Sequence, residues 1–217
     1  MTTYSAPVRD IRFVLDDLLA IENHRNLPGF EDASSDVVGA ILDEGAKICQ
    51  DVVFPLNGPG DAEGCRLEGD KVVTPKGFRD AFVTYAGGGW IGLDADPAYG
   101  GQGLPHVLAA VMGEMLSSAG LAFATYPGLT SGAYHAIEAH GTEAQKKAYL
   151  PMLATGTWAG TMNLTEPQCG TDLGLIRSRA VPADDESYRI TGTKIFITGG
   201  EQDLTENIVH LVLARIP

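Results

Sequence analysis

Two short segments of the chain contain residues that could hold a flat ligand with a charged tail. The first is LTEPQCGTD at residues 164–172, and the second is KIFITGG at residues 194–200. In the first segment, the backbone amides around Gly170 and Thr171, together with the Thr171 hydroxyl, could form a concave cluster of donors for a phosphate. Thr165 adds a hydroxyl directly after a predicted strand. An ordinary turn capped by threonine explains the same residues equally well.

The second segment predicts a β-strand with an aromatic ring and a hydroxyl on one face. Alternation along the strand places Lys194, Phe196 and Thr198 on one face, with Ile195 and Ile197 on the other. Phe196 offers a flat surface against which a heteroaromatic ring could pack, and Thr198 could hydrogen-bond to a ring nitrogen. The alternative is a hairpin strand with its aromatic residue in the core, which is the commoner case for an isolated strand.

The elements that must position these segments change type along the chain. Helices are predicted at residues 11–21, 34–53, 74–82, 105–118, 127–140 and 143–153 from the spacing of apolar residues. We expect Pro55 to end the second helix and residues 57–69 to form a polar surface loop. Thr142 and Gln145 form the pattern of a capping box at the start of the last helix.

Beyond Gly156 the pattern becomes that of strands. Segments rich in Ile, Val, Tyr, Phe and Thr predict strands at residues 158–164, 178–181, 187–198 and 208–215. Asp184 and Asp185 predict a hairpin turn, and residues 208–213 are apolar enough to be buried on both faces. Helices followed by strands, without alternation, predict an α+β fold.

The predicted organisation is an all-α N-terminal helical domain followed by the first strands of an incomplete antiparallel β domain. The helical domain is expected at residues 1–157, with an N-terminal extension helix within residues 1–33, and the β domain is expected to start at residues 158–217. A sheet of so few strands would leave an open edge. We therefore expect the chain to be a fragment of a longer protein.

Composition and charge disfavour several kinds of partner and site. The net charge of −13 disfavours a nucleic-acid partner, because phosphate backbones require a basic surface. Cys49, Cys65 and Cys169 are odd in number and widely spaced, so neither a disulfide framework nor a metal site is predicted. His135 and His140 are expected to lie at the surface or at a helix end. Without a leader pattern or an apolar run long enough to span a membrane, the expected location is cytoplasmic.

The two segments resemble motifs of the acyl-CoA dehydrogenase family of flavoproteins. The likeness lies in T-E-P-x-x-G-T-D at residues 165–172 and K-x-F-I-T-G at residues 194–199. Further stretches resemble family motifs in the same order, at residues 90–93, 99–104 and 140–151. Within the family, residues 5–10, 55–57, 60–64 and 161–167 resemble the branch that includes 3-methylmercaptopropionyl-CoA dehydrogenase.

The resemblance implies FAD-dependent oxidation of an acyl-CoA thioester to 2-enoyl-CoA, with electrons passing to an electron-transfer flavoprotein. It implies that the cofactor-binding residues are Met162, Leu164, Thr165, Gly170, Thr171, Phe196 and Thr198. Thr165 would meet the pyrimidine edge of the flavin, Gly170 and Thr171 would approach the pyrophosphate, Phe196 would cover the ring and Thr198 would lie near its N5. Met162 stands where many relatives have an aromatic residue.

The resemblance also suggests positions for the acyl-CoA. The backbone of Thr171 would lie near the thioester arm, and Gly128 and Gly132 lie in a segment that could line the acyl chain. Close packing of helices explains these small residues as well, and it is the interpretation that we prefer from the sequence.

No catalytic residue is nominated. In the family the base is a glutamate of a C-terminal helical bundle, which is expected beyond Pro217, and Glu166, Glu201 and Glu206 do not match it. The chain alone is therefore expected to bind FAD weakly and to be inactive, with a homo-oligomer expected at full length. A truncated paralogue that serves as a binding or assembly module is the alternative, and an oxidase or a relative associated with DNA damage is a further one.

Overall fold

The computed structural model describes residues 3–27 and 29–217, and most of its helices precede its strands. The helices are α1 (Val8–Arg12, continued by a π-helical turn at Phe13–Leu18), α2 (Ser35–Lys47, continued by a π-helical turn at Ile48–Val53), α3 (Phe54–Glu63), α4 (Phe78–Gly87), α5 (His106–His140) and α6 (Glu143–Ala154). The strands are β1 (Arg66–Glu68), β2 (Lys71–Val73), β3 (Trp158–Asn163), β4 (Arg179–Pro182), β5 (Tyr188–Thr191) and β6 (Asn207–Val212). The α+β fold predicted from the change of period is confirmed.

The second predicted helix does not end at Pro55. Ser34 caps α2 by accepting a hydrogen bond from the Val37 N–H, and the chain stays helical through a π-helical turn into α3. Pro55 lies in the first turn of α3, where a missing N–H and a fixed φ are tolerated. The surface loop predicted at residues 57–69 is therefore wrong, because α3 and the β1–β2 hairpin occupy most of it.

The two helices predicted at residues 105–118 and 127–140 form one long element, α5. The helical dihedrals are interrupted at Gly120, with φ −170° and ψ 90°, and the proline at 127 lies within the second half. A Cβ at Gly120 would lie 3.1 Å from Val53 Cγ1, so the break coincides with close packing against the end of the α2 extension. The N-terminal capping box of α6 at Thr142 and Gln145 is confirmed, although Pro151 lies inside that helix without ending it.

The helical core is built on the second half of α5. The Phe123 ring is approached edge-on by Phe78, Phe82 and Tyr85 of α4, with ring centroids 5.8, 6.5 and 6.2 Å away. By length and composition α5 is apolar enough to cross a membrane, but 44% of its most apolar window is buried inside the protein. Packing in the core accounts for the buried part of this hydropathy.

The strands pair in two separate two-stranded sheets after α6. β3 pairs with β6 in parallel, with Trp158 opposite Asn207, whereas β4 and β5 form an antiparallel hairpin around Asp184 and Asp185. The β part is thus of mixed pairing, where antiparallel strands were expected. β6 is half-buried to exposed, so the prediction of burial on both faces is wrong.

β3 is held directly against α5. The Gly160 N–H donates to Thr130 Oγ1 at 3.2 Å, and a Cβ at Gly160 would lie only 2.3 Å from the Cβ of Ala133. A side chain at this position of β3 would therefore separate the strand from the helix. This contact fixes the strand that leads into residues 164–172.

Candidate functional site

The two segments that could hold a ligand lie side by side. The Ile195 N–H donates to the carbonyl of Thr165 at 3.0 Å, and the Lys194 ammonium donates to the carbonyl of Leu164 at 2.9 Å. The first segment leaves the end of β3, and the second follows β5. Two stretches far apart in sequence thus form one continuous surface.

A buried carboxylate locks this junction. Glu166 is 3% exposed, and its Oε1 lies 2.9 Å from Lys194 Nζ. It also accepts hydrogen bonds from the backbone N–H groups of Arg177 (2.7 Å) and Ser178 (3.0 Å), and from Gln168 Nε2 (2.6 Å). Hydrogen bonding from Ser178, assisted by the Arg177 N–H and the Lys194 ammonium, holds the pKa of Glu166 well below its ordinary value despite the cost of burial. Glu166 is therefore a fixed anion and cannot serve as a general base near neutral pH.

The turn that carries the candidate phosphate donors is closed by its own backbone. The Glu166 N–H donates to the carbonyl of Cys169, and the Cys169 N–H donates back to Glu166. Gly170 and Thr171 follow this closed turn and are exposed. A Cβ at Gly170 would lie 3.6 Å from the Thr165 methyl group, which places Thr165 beside the exposed backbone at Gly170.

Phe196 does not lie on a strand, contrary to the sequence prediction. β5 ends at Thr191, and residues 192–197 have no regular secondary structure. The shared strand face of Lys194, Phe196 and Thr198 is therefore wrong. Phe196 has a φ of +57° and is 89% exposed. Positive φ is uncommon for a bulky residue, and such strain is concentrated at functional sites.

The remaining predicted cofactor residues differ in exposure. Leu164 and Thr165 are half-buried at the junction, whereas Met162, Thr171 and Thr198 are exposed. The structure thus brings Leu164, Thr165 and Gly170 together with the segment that carries Phe196. Thr198 is followed by Gly199, where a Cβ would lie 3.3 Å from the Tyr126 ring of α5.

Gly128 and Gly132 are exposed on the second half of α5. A Cβ at either position would meet no atom of the described residues within 4 Å, so close packing, which the sequence favoured, does not account for them. Gly128 lines a cavity of about 190 Å³ together with Trp90, Met112 and Ser131.

A second cavity involves residues that sequence reasoning missed. It is lined by α3 and by Cys65, Phe78, Ala122 and Tyr126. Cys65 Sγ lies 3.9 Å from the Tyr126 hydroxyl, and burial raises the pKa of that phenol. The sequence could not predict this cavity, because residues 57–69 were expected to form a surface loop. In the structure α3 occupies part of that range and forms one wall of the cavity.

The loop after the second segment is tied to the helical part by Asp203. Its Oδ1 accepts from the Thr74 N–H at 3.0 Å and from the Thr74 hydroxyl at 2.7 Å. Burial opposes ionisation of Asp203, but these two hydrogen bonds outweigh it and lower the pKa of the carboxyl.

Comparison with known proteins relates the chain to acyl-CoA dehydrogenases. The model of the acyl-CoA dehydrogenase N-terminal domain matches residues 68–157. The 3-methylmercaptopropionyl-CoA dehydrogenase of Ruegeria pomeroyi is 47% identical over 99% of this chain and 37% of that protein. A butyryl-CoA dehydrogenase of Syntrophomonas wolfei is 35% identical over 99% of this chain and 36% of its own length. The chain thus spans little more than a third of these relatives.

Solved structures agree with these sequence relatives. The acyl-CoA dehydrogenase of Bacillus anthracis complexed with FAD superposes with a TM-score of 0.69 at 30% identity, covering 86% of this chain and 30% of that one. A chain from a structure described as the electron transferring flavoprotein of Acidaminococcus fermentans superposes with a TM-score of 0.65 at 28% identity, covering 77% of this chain and 41% of that one.

Proposed function

Because the chain belongs to the acyl-CoA dehydrogenase family, we propose that it provides the helical domain and one wall of the flavin site of an enzyme that oxidises an acyl-CoA thioester to 2-enoyl-CoA. The observation that carries the proposal is the junction of residues 164–172 with residues 194–200, which joins the segment that carries the exposed Phe196 ring to the segment that carries the exposed Gly170 and Thr171. The names of the relatives support an acyl-CoA as the substrate class.

The residues at this junction fit FAD as one open wall. The described residues leave the Phe196 ring exposed, and a flat heteroaromatic ring stacked on it would bury it. Gly170 and Thr171 are exposed, and their backbone amides suit a pyrophosphate. Because the protein has a net charge of −13, backbone amides rather than a basic surface would bind the negative charge of the pyrophosphate. The Lys194 ammonium is paired with Glu166, so it is not available to bind the pyrophosphate in place of the amides.

Each residue would contribute placement and polarity. FAD supplies the hydride acceptor of the reaction. The hydroxyls of Thr165 and Thr198 would hydrogen-bond to the polar edge of the ring, and Met162 and Leu164 would contact its face beside Phe196. The N–H groups of Gly170 and Thr171 would bind the diphosphate. Such preorganised donors stabilise the negative charge that accumulates on a reduced ring.

The substrate would enter from the side of α5. Thr171 would lie near the thioester arm, and Gly128 and Gly132 would leave room for the acyl chain because neither glycine is needed for packing. Electrons would pass to an electron-transfer flavoprotein, which the structural likeness to the Acidaminococcus chain supports. A cytoplasmic, homo-oligomeric enzyme is part of the same proposal.

The isolated 217-residue chain would bind FAD weakly and would not turn over. It offers one wall of the site, and its buried Glu166 is locked as an anion and cannot accept the α-proton of a thioester. A retained yellow colour together with dye reduction by an acyl-CoA would contradict this part of the proposal.

The protein expressed from its full reading frame tests the enzyme itself. We expect it to carry FAD and to reduce an artificial electron acceptor in the presence of an acyl-CoA, with 3-methylmercaptopropionyl-CoA and butyryl-CoA as the first substrates to compare. A colourless protein that binds acyl-CoA without oxidising it would contradict the proposal and favour a binding module.

A further inference from the structure

We infer that Asp94, His106 and His135 form a binding site for a divalent zinc ion, outside the flavin wall. Asp94 Oδ2 lies 2.5 Å from His106 Nδ1 and 3.2 Å from His135 Nε2, and one ligand atom from each residue falls within 4.8 Å of the others. Zinc bound to tetrahedral nitrogen and oxygen ligands at about 2.0–2.1 Å sets those atoms roughly 3.3 Å apart. Small side-chain rotations would therefore suffice to bring all three atoms onto one ion.

Two of the ligands are held in place before any ion binds. Asp94 has a side chain only 5% exposed, and its loop is tied down by the Gln102 N–H to the carbonyl of Gly92 and by the Leu104 N–H to the carbonyl of Leu93. His135 lies within the second half of α5, and its ring packs edge-on against Tyr134 at 5.3 Å. His106, at the start of α5, has a side chain 76% exposed and supplies the adjustable ligand.

The partner of His135 on its far side favours metal binding over a simple hydrogen bond. His135 Nδ1 lies 3.4 Å from Glu138 Oε2, and Glu138 Oε1 accepts from the Tyr134 hydroxyl at 3.0 Å. A carboxylate at one ring nitrogen of a metal-binding histidine fixes the tautomer that leaves the other nitrogen free to coordinate. The chain of Asp94, His135 and Glu138 has this arrangement.

The free nitrogen is unsatisfied in the structure. His135 Nε2 is buried and has no hydrogen-bond partner among the described residues, although it faces the carboxylate of Asp94 at 3.2 Å. When Nδ1–H donates to Glu138, the lone pair of Nε2 points at a carboxylate oxygen. A cation between the two groups removes that repulsion, and two imidazoles with one carboxylate suit zinc.

The cavity that Gly128 lines also borders this cluster. Asp94 and His106 are among its lining residues, so a fourth zinc ligand can be a water molecule or an anion from the cavity. None of the cluster's three residues belongs to the flavin wall.

Calorimetric titration of the EDTA-treated chain with Zn²⁺ tests the inference. We expect one ion per chain, and we expect His106→Ala and His135→Ala each to weaken the affinity by at least about 10-fold. Glu138→Gln, which acts through His135, should weaken it roughly 10-fold. His140→Ala, an exposed histidine at the end of the same helix, is the matched control and should leave the affinity unchanged. Mg²⁺ should not compete, because it prefers octahedral oxygen ligands.

Cobalt substitution gives a second readout that does not depend on the affinity. Co²⁺ bound at this site should show the intense visible absorption of a four-coordinate ion, and His106→Ala should abolish it. Because His106 is largely exposed, that variant should fold, as circular dichroism can verify. Absence of stoichiometric binding, or equal losses in His106→Ala and His140→Ala, would overturn the inference.

Discussion

At the scale of single residues, Glu166 and Lys194 explain how two distant segments stay in register. The carboxylate neutralises the Lys194 ammonium and accepts hydrogen bonds from the backbone N–H groups of residues 177 and 178. Lys194 in turn donates to the carbonyl of Leu164. Removing either partner leaves the other buried without its counter-charge, which is costlier than losing both.

We therefore predict that Glu166→Gln and Lys194→Met each lower the urea midpoint of unfolding, and that the double variant loses less than the sum. The folded-state pKa of Glu166 is lowered, so its contribution is present above the unfolded pKa of about 4.3 and is lost as the pH falls through the folded value. The difference between the wild type and Glu166→Gln should thus shrink under acid conditions. A difference that is constant from neutral to acid pH would contradict this role, as would strict additivity of the two substitutions.

Asp203 offers a second test at this scale. Its lowered pKa means that its bonds to Thr74 stabilise the fold above the unfolded pKa of about 3.9 and are lost as the pH falls through the folded value. Asp203→Asn should destabilise the chain near neutral pH, and the loss should be smaller in acid. Asp184→Asn in the exposed hairpin turn is the control. Thermal unfolding at several pH values measures both variants, and equal effects would refute the role.

At the scale of elements, the contact of β3 with α5 determines where the candidate site begins. Gly160 approaches Ala133 so closely that no side chain fits between the strand and the helix. On the same helix, a Cβ added at Gly132 would meet no atom of the described residues within 4 Å. The two glycines therefore have opposite roles, because Gly160 lies at a close contact and Gly132 does not.

We therefore expect alanine to change the free energy of unfolding in opposite directions at the two positions. Gly160→Ala should destabilise the chain by about 1–3 kcal/mol through overpacking. Gly132→Ala should stabilise it by about 0.5–1 kcal/mol, because alanine is the better helix former and meets no obstacle. Chemical denaturation of both variants provides the comparison. Equal effects at the two sites would show that the strand is not packed against α5 as described.

The edge-to-face cluster on α5 allows a stronger test of the helical core. Phe123→Ala should cost about 3–5 kcal/mol, since it removes the ring that Phe78, Phe82 and Tyr85 surround. Phe13→Ala, which removes a ring that is 54% exposed, should change the free energy of unfolding by less than about 0.5 kcal/mol. Denaturant titration of the pair measures the difference, and a small loss for Phe123→Ala would contradict the described core.

At the scale of the whole molecule, the β part exposes a series of apolar side chains. They include Met162, Leu175, Val181, Tyr188, Ile190, Phe196, Leu213 and Ile216. Two-stranded sheets with uncovered edges and apolar faces tend to associate with other chains. The helical part, in contrast, encloses most of the continuous core.

The 217-residue chain should therefore self-associate as its concentration rises. Replacing Tyr188 and Ile190 with lysine should reduce this association, whereas Leu67→Lys on the exposed β1 strand should have a smaller effect. Sedimentation velocity over a concentration series measures the three proteins. A wild-type chain that stays monomeric throughout would contradict the expectation.

The sequence predicts local features well and non-local ones poorly. The capping box of α6 and the hairpin turn at Asp184 and Asp185 depend on neighbouring residues, and both were predicted. The parallel pairing of β3 with β6 and the Glu166–Lys194 pair depend on contacts between distant residues, which periodicity does not reveal.

The predictions of helix boundaries at Pro55 and within α5 are wrong for a related reason. Pro55 is tolerated because it falls in the first turn of a new helix after a π-helical turn, and the break in α5 lies at Gly120, where the helix meets Val53. Tertiary packing sets both. The Asp94 cluster likewise joins a loop to both halves of α5, so no sequence motif marks it.

The affinity for FAD of the protein from the full reading frame, compared between Phe196→Ala and Phe13→Ala, tests the flavin wall most directly. Each variant removes an exposed phenylalanine ring, but only Phe196 lies at the junction of the two segments. The expected result is a loss of roughly 2- to 10-fold for Phe196→Ala, since an aromatic stacking contact is worth about 0.5–1.5 kcal/mol, and no change for Phe13→Ala. Unchanged affinity in both variants would show that residues 164–172 and 194–200 do not form the wall of a flavin site.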